Sequence, residues 1–581
     1  MIAFARTCAA IAATASKLEK IALVAAYLRE LDDADLAPAA RFFSGNPFPQ
    51  AQQRSLALGG RSIVAAATAA WQIDPAKLSQ AYRATGDLGA ALGPFVRAGA
   101  DLGLFREVLT PARLAAIFVE IADAAGKSAQ KRRRVLCEQI LSSCTDPLEA
   151  TYVIKVMTGE LRIGLRAGLI VDAIATAFAR DPAATRAAAA AAGDLGSVAI
   201  AAKADRLGDV AIAYHAPIAF MLASPIAYET AHDDLAGKTW LVEDKFDGIR
   251  IQAHVTPERV SLFTRTLNDS AGAYPEVVAA LRALRGSYIL DGELIAVRDG
   301  GVLPFRFLQA RLQRTTVSAD LQREVPVRFI AFDVLAHNDA FLLDVPLARR
   351  RATLLSLVSN ATAIAPSDAA ELPPNATADD IAQRFTAARE RGNEGLVFKR
   401  LDAPYAPGRR GKWWLKLKRE LATLDCVVVA VEWGHGRRAG VLSDYTFAVR
   451  DGDRLAVIGK AYSGLTDVEI AEMTAWFEAH RIPAPAADAV YDDLRLRRGE
   501  IVVEPAIVVE IAFDIIARSD LHAGGFSLRF PRIVRLRPDK PAEQADTLAR
   551  VAELYAAMLE RERITEKRPD SHASHGTGTK L

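Results

Sequence analysis

The spacing of apolar residues changes character twice along the chain, near residues 217 and 423, and this succession restricts the fold more than any other feature. Up to about 217 they recur every three or four positions, as Leu18, Ile21, Ala25 and Leu28 do, which is the mark of helices with one buried face. Ser16 with Glu19, and Asp146-Pro147 with Glu149, read as helix starts, and "FSGNPFPQ" and "LGGRS" as turns. The Ala-rich stretch 185–202 reads as a helix closed at Asp194-Leu195-Gly196 and leading toward a linker. From 218 to 423 the short segments "IRIQAHV", "RVSLFT", "YILDGELIAV", "VRFIAFDVL", "GLVFK" and "WWLKLK" alternate as strands do, with helical patterns at 275–285 and 378–391 between them. From 424 to 562 come "DCVVVAVEW", "YTFAVR", "RLAVIG" and "IVVEPAIVVEIAF", with one helix opened by Thr466 and Glu469.

A chain of 581 residues exceeds what one core holds, about 250 to 300 residues, so the three patterns predict separate domains. The expected organisation is an all-α domain at 1–217, an α+β domain at 218–423, a small β-barrel with an inserted helix at 424–562 and a disordered polar tail at 563–581. With 51% apolar and 24% charged residues the chain can bury large cores, and it has no apolar run of about 20 residues to span a bilayer. The start "MIAFARTCAAIAATASKLEK" resembles a leader only until Arg6 interrupts it, so a cytosolic protein is expected. Cys8, Cys137, Cys144 and Cys426 lack the paired spacing of a zinc module or a disulfide framework. A net charge of +2 leaves polyanion binding to local patches: 131–134, the pair Arg162 and Arg166, Arg409-Arg410 with Lys412, and Arg529, Arg532, Arg535 and Arg537.

The chemistry concentrates in "LVEDKFDGIRIQAH", where four charged side chains surround Lys245 beside Gly248. Alternate residues of a strand share a face, so Glu243 and Lys245 point together, as do Asp291 and Glu293, and Lys416 and Lys418. Gly248 would let backbone approach a ligand closely. Converging strands would give one pocket several carboxylates, three lysines and Arg250. Such cations both discourage protonation of a lysine and suit a polyphosphate. Glu293 and Glu394 are oxygen donors of the kind magnesium takes. Phe332 fits either a core position or a stacking partner for an aromatic base.

The fragments "EDKFDGIR", "FTR", "DGELIA", "FIAFDVL", "EGLVFKR" and "WLKLK", then "RLRPDK", follow the order and approximate spacing of the covalent nucleotidyltransferase motifs. In this the chain resembles the ATP-dependent DNA ligases. "FMLA" is similar to the lead-in to their catalytic domain, "LRIGLR" to a segment of their helical DNA-binding domain and "SLRFPRIVRLRPDK" to the end of their OB domain. The resemblance implies a nucleotidyltransferase (ATP-grasp-like) catalytic domain followed by an OB-fold barrel. It implies that ATP adenylates Lys245, that the AMP passes to the 5′-phosphate of a nick in duplex DNA, and that a 3′-hydroxyl then seals the backbone. Glu243 would contact the adenine, Phe332 would stack on it, and Arg250 would meet the ribose or the 5′-phosphate. Arg265, Glu293 and Arg410 would line the nucleotide, Lys416 and Lys418 would hold the α-phosphate, and Arg537, Asp539 and Lys540 would orient pyrophosphate. Glu293 and Glu394 would sit near a divalent cation, magnesium or manganese, and Arg162 and Arg166 would contact DNA phosphates. The resemblance further implies a monomer in the cytoplasm, associated with the nucleoid if prokaryotic, whose OB domain swings about 418–424 between steps. Capping guanylyltransferases share K-x-D-G-x-R but need no such helical domain, RNA ligases usually lack this arrangement, and NAD-dependent ligases carry a cysteine-rich module. A nick-binding protein without activity would not need every motif lysine and carboxylate.

Overall fold

The computed structural model describes residues 1–96, 108–298, 301–312, 314–338, 340–358, 361–418, 423–434, 438–483, 500–513, 515–522 and 524–567. The chain divides into two compact units, Met1–Tyr82 with Asp87–Lys418, and Arg83–Gly86 with Arg419–Leu581.

The first unit opens with helices. Ile2–Ala13 buries Phe4, Ala5, Cys8 and Ile11, and the Phe4 ring lies 6.0 Å from Tyr27 and 4.8 Å from Phe43. The leader-like start is therefore core. Lys17–Arg29 begins at Ser16, whose Oγ accepts from Glu19 N at 3.3 Å. The Glu19 carboxylate instead accepts from the Thr14 hydroxyl at 2.5 Å, so only half of a capping box forms. Leu18, expected on the buried face, is 79% exposed; Val24, Ala25, Tyr27 and Leu28 face inward. Pro147–Thr158 starts as expected, with Asp146 accepting from Leu148 N and Glu149 N. The single helix expected over 185–202 is two, Pro182–Ala192 and Leu195–Lys203. Gly193 ends the first in the left-handed conformation, and Asp194 caps the second. A capping carboxylate that also holds Arg41 through two bonds of 2.7 Å outweighs the helix propensity of the alanines.

"LRIGLR" is the loop between Pro147–Thr158 and Ala167–Ala177. Its Leu161 and Ile163 are buried, and the buried Lys20 donates to Ile163 O at 2.7 Å. Arg162 and Arg166 are left outside.

Strands begin at Leu222 and form two main sheets. The first runs Leu222–Ile226, Arg410–Lys418, Gly395–Arg400, Trp240–Lys245, Ala369–Leu372. Helix Ala378–Glu390 covers one face of it with Ile381, Phe385 and Ala388. The second runs Val260–Thr264, Ile249–Val255, Tyr288–Arg298, Val327–His337, Ala340–Phe341, with Gly301–Val302 and Ile364–Pro366 at its sides. Val277 and Leu281 of helix Pro275–Arg282 fill its core.

In the second unit the sheet order is Arg454–Ala461, Leu442–Asp451, Thr423–Trp433, Val508–Ala512, Arg532–Leu536. Ile533 N donates to Ser463 O at 2.9 Å, so the last strand meets the chain just beyond the first and the sheet curls as an OB barrel does. Asp467–Ala479 opens with the capping box of Thr466 and Glu469. "IVVEPAIVVEIAF" is not continuous: it gives Ile501–Val502 and Val508–Ala512, because Pro505 cannot donate to a ladder. The final helix, Leu548–Lys567, runs into the segment expected to be disordered, and residues 568–581 lie outside the described residues. Among the described residues no helix is long and apolar enough to cross a membrane.

Candidate active site

Strand register assembles the site. In the first sheet Gly395 lies opposite both Lys245 and Lys418, and Val397 opposite both Glu243 and Lys416. Directly opposed residues share a face, so these three strands present Lys245, Lys416, Lys418 and Glu243 together. Lys399, opposite Trp414, joins the same face. Gly395 is required at the centre: its φ is +156°, and a Cβ there would fall 2.2 Å from Leu417 O.

Lys245 is half-buried, and its Nζ lies 2.6 Å from Glu394 Oε2, while Glu394 N donates to Lys245 O at 2.8 Å. Glu293 reaches the same place from the second sheet. Burial pushes its carboxyl up to about 8 against the pull of Lys245 and Arg250, with Asp291 and Glu394 adding to the rise. The Lys416 ammonium is held below its usual range by burial and by Lys245, Lys418 and Arg410. Among the described residues no group of three or more His, Cys, Asp or Glu gathers for a metal ion. Glu293 and Glu394 nevertheless fit magnesium, which commonly takes one or two carboxylates and leaves its other positions to phosphate and water.

Glu243 is 3% exposed, with both oxygens engaged: Lys399 Nζ lies 2.5 Å from Oε2, and Ser367 donates to Oε1 at 2.9 Å. Ser367 in turn accepts from Arg351 at 2.7 Å. Each oxygen keeps a second lone pair, so further acceptance by Glu243 needs no exchange of these partners. Arg250 donates to both oxygens of Asp291, at 3.0 and 2.6 Å, and to Met221 O at 2.7 Å, leaving part of its donor fork for a ligand. Tyr405 fixes Asp291 from the other side at 2.7 Å. Phe332 is the extra residue of a bulge, since Asp291 faces Asp333 while Gly292 faces Ala331. Its half-buried ring carries Lys399 Nζ at 4.0 Å and meets Trp414 edge-on at 6.0 Å. Gly248 has a packing role beside the expected one. A Cβ there would come within 2.4 Å of Leu294 O and 2.9 Å of the Glu293 side chain, so the glycine serves packing against the next strand.

Arg265 lies exposed in the turn after Val260–Thr264, and Arg410 is exposed at the start of its strand. Arg537, Asp539 and Lys540 belong to the second unit. There Arg537 binds Asp425 through two contacts of 2.9 Å and also Asp539, while Lys540 binds Asp425. Arg162 pairs with Glu160 and lies 3.7 Å from Asp87, whereas Arg166 is exposed with no partner among the described residues. Sequence reasoning missed Lys399, Ser367 and Arg351. The alternation Gly395, Val397, Lys399 would have exposed the first; nothing in the local sequence marks the other two.

The model of the "ATP dependent DNA ligase domain" matches residues 220–418, "DNA ligase N terminus" matches 1–175 and "ATP dependent DNA ligase C terminal region" matches 438–540. The "Probable DNA ligase" of Koribacter versatilis is 42% identical over 98% of this chain and 99% of its own length. The "DNA ligase" of Archaeoglobus fulgidus is 33% identical, covering 96% and 98%. The solved structure named "Pmar-Lig_Pre." superposes over 92% of this chain and 99% of its own with a TM-score of 0.55 at 16% identity, a likeness of fold alone. With three successive models matched in order and relatives aligned almost end to end, the chain belongs to the ATP-dependent DNA ligases.

Proposed function

We propose that Lys245 is the residue on which this DNA ligase carries its adenylate. The supporting observation is the register that puts Lys245, Lys416, Lys418 and Glu243 on one sheet face with Glu394 against the amine. Lys245 Nζ, once deprotonated, attacks the α-phosphorus of ATP; an N–P bond forms, and the bond to the bridging oxygen breaks to release pyrophosphate. An oxygen of the nick's 5′-phosphate then attacks the same phosphorus and returns the lysine. Finally the 3′-hydroxyl attacks the activated 5′-phosphate, closing the phosphodiester and expelling AMP.

Lys416 and Lys418 neutralise the α-phosphate oxygens, where such transfer gains most. Phe332 and Glu243 take the base, Arg250 the ribose or the nick's phosphate, and Arg265, Arg410 and Glu293 complete the nucleotide site. Glu293 and Glu394 would hold the divalent metal, magnesium, which would supply further charge neutralisation on phosphate oxygens. Arg537 and Lys540 turn to pyrophosphate by exchanging Asp425 for phosphate oxygens, with Asp539 orienting Arg537. The regions 1–217, 218–423 and 424–562 divide the work as DNA-binding, adenylation and OB domains. The hinge assigned to 418–424 includes 419–422, which lie outside the described residues. Arg166, and Arg162 when released from Glu160, contact phosphates of the duplex without reading bases. The enzyme acts as a monomer in the cytoplasm.

Labelled ATP followed by a denaturing gel tests the assignment. Wild type acquires a label that nicked DNA removes, and Lys245→Ala acquires none; an adenylated Lys245→Ala, or AMP mapped to another side chain, overturns it.

A further inference from the structure

Asp244 lies between Glu243 and Lys245 and, by strand alternation, points to the opposite face of the sheet from theirs. It is nonetheless tied to the site. Arg391 donates to both of its oxygens, at 2.7 and 2.8 Å, and Asn393 Nδ2 donates to Oδ2 at 2.8 Å. Arg391 and Asn393 belong to the turn between helix Ala378–Glu390 and strand Gly395–Arg400, and the next residue, Glu394, is the one that meets Lys245 Nζ. The same turn is held at two further points, Glu394 N on Lys245 O at 2.8 Å and Arg389 on Asn393 O at 2.9 Å. Asn393 is 2% exposed, and its Oδ1 has no hydrogen-bond partner among the described residues. Leaving a buried acceptor unpaired costs about 1 to 3 kcal/mol. Flipping the amide would set that oxygen against the Asp244 carboxylate, so the orientation is imposed by Asp244.

We infer that Asp244, Arg391 and Asn393 form a positioning clasp, built behind the sheet, that fixes the Glu394 carboxylate relative to the Lys245 amine. The inference rests on Lys245 being the adenylated residue. None of the three touches the reacting atoms. Their effect passes through the turn, which sets where Glu394 stands and hence the line along which Nζ approaches phosphorus. A displacement of about 1 Å at such a point can cost up to about 100-fold in rate. Nucleotide affinity, which rests mainly on Lys416, Lys418, Arg250 and the contacts to the base, changes far less than the rate.

Single-turnover formation of lysyl-AMP, followed over a range of ATP concentrations in the full-length protein, tests this with Asp244→Asn, Arg391→Ala and the double variant. The clasp lowers the maximal rate constant about 10- to 100-fold in each single variant, with half-saturating ATP changed less than about 3-fold. The double variant is no slower than the slower single one, because both lose one shared contact, and Arg391→Lys recovers part of the rate. A purely structural role would lower the burst amplitude and leave the rate constant intact. That result, wild-type rate constants in both single variants, or losses that multiply in the double variant would overturn the clasp. Absence of AMP on Lys245 in wild type would instead overturn the assignment beneath it, so the two failures are distinguishable.

Discussion

Lys245 and Glu394 illustrate how a residue's role is set by what it faces. Both stand in recognisable motifs, yet their 2.6 Å contact exists only because Trp240–Lys245 and Gly395–Arg400 pair antiparallel in one register. Glu293 carries the clearest prediction at this scale. Burial raises its carboxyl to about 8 in the ligand-free protein, against an ordinary value of about 4.3. Between those values the folded state keeps a proton that the unfolded chain has lost, so stability is fully present below the lower value and declines as pH rises toward the upper. Glu293→Gln removes this dependence. The thermal midpoint of the ligand-free wild type should drop more between pH 5.5 and 8 than that of the variant. Formation of lysyl-AMP by the variant should fall about 100-fold, within the range for loss of one charge-stabilising group. A variant with wild-type adenylation would remove Glu293 from the metal and nucleotide set. Of the expected site residues, those on central strands were legible from alternation. The pairings of Glu243 with Ser367, 124 positions away, and of Arg250 with Asp291 were not.

Among the elements, strands were read best, and most of the expected segments recur within a few residues. Their alternation reports a two-sided environment directly. The helices show where local reading fails: alanine content alone made one helix of 185–202, whereas Asp194 caps a second and holds Arg41. Asp194→Ala should destabilise the protein by about 2 to 4 kcal/mol at neutral pH, through a lost cap and an arginine left without its partly buried partner. Burial opposes ionisation of Asp194, but the bonds and charge of Arg41, with Ser197, prevail and hold the carboxyl below its usual range. A depressed carboxyl contributes stability above its unfolded value, about 3.9, and loses it as pH falls through the folded one. Chemical denaturation should therefore show the full deficit at pH 7 and a shrinking one below about pH 4. A deficit independent of pH would assign the effect to the cap's geometry alone.

For the molecule as a whole, a net charge of +2 means that duplex binding draws on patches whose charge is not already spent internally. Nicked-DNA affinity should fall steeply with salt, and Arg166→Ala should reduce the slope of log K against log salt by about 0.9. Arg162→Ala should change it less, because Glu160 and Asp87 already compensate that guanidinium. Equal slopes for the two variants, measured by salt titration, would refute the distinction. The sequence by itself determined the succession of helical, mixed and barrel regions, the motifs of the adenylation chemistry and the lysine proposed to carry it, because periodicity and short motifs are local properties of a chain. Only the tertiary structure decided which charges remain available: that Asp425 holds Arg537 and Lys540, that Lys399 and Ser367 hold Glu243, and that Gly248 serves packing. Those outcomes depend on pairing between residues far apart in sequence and on burial. Both arise when sheets close on one another, and a one-dimensional pattern does not contain them.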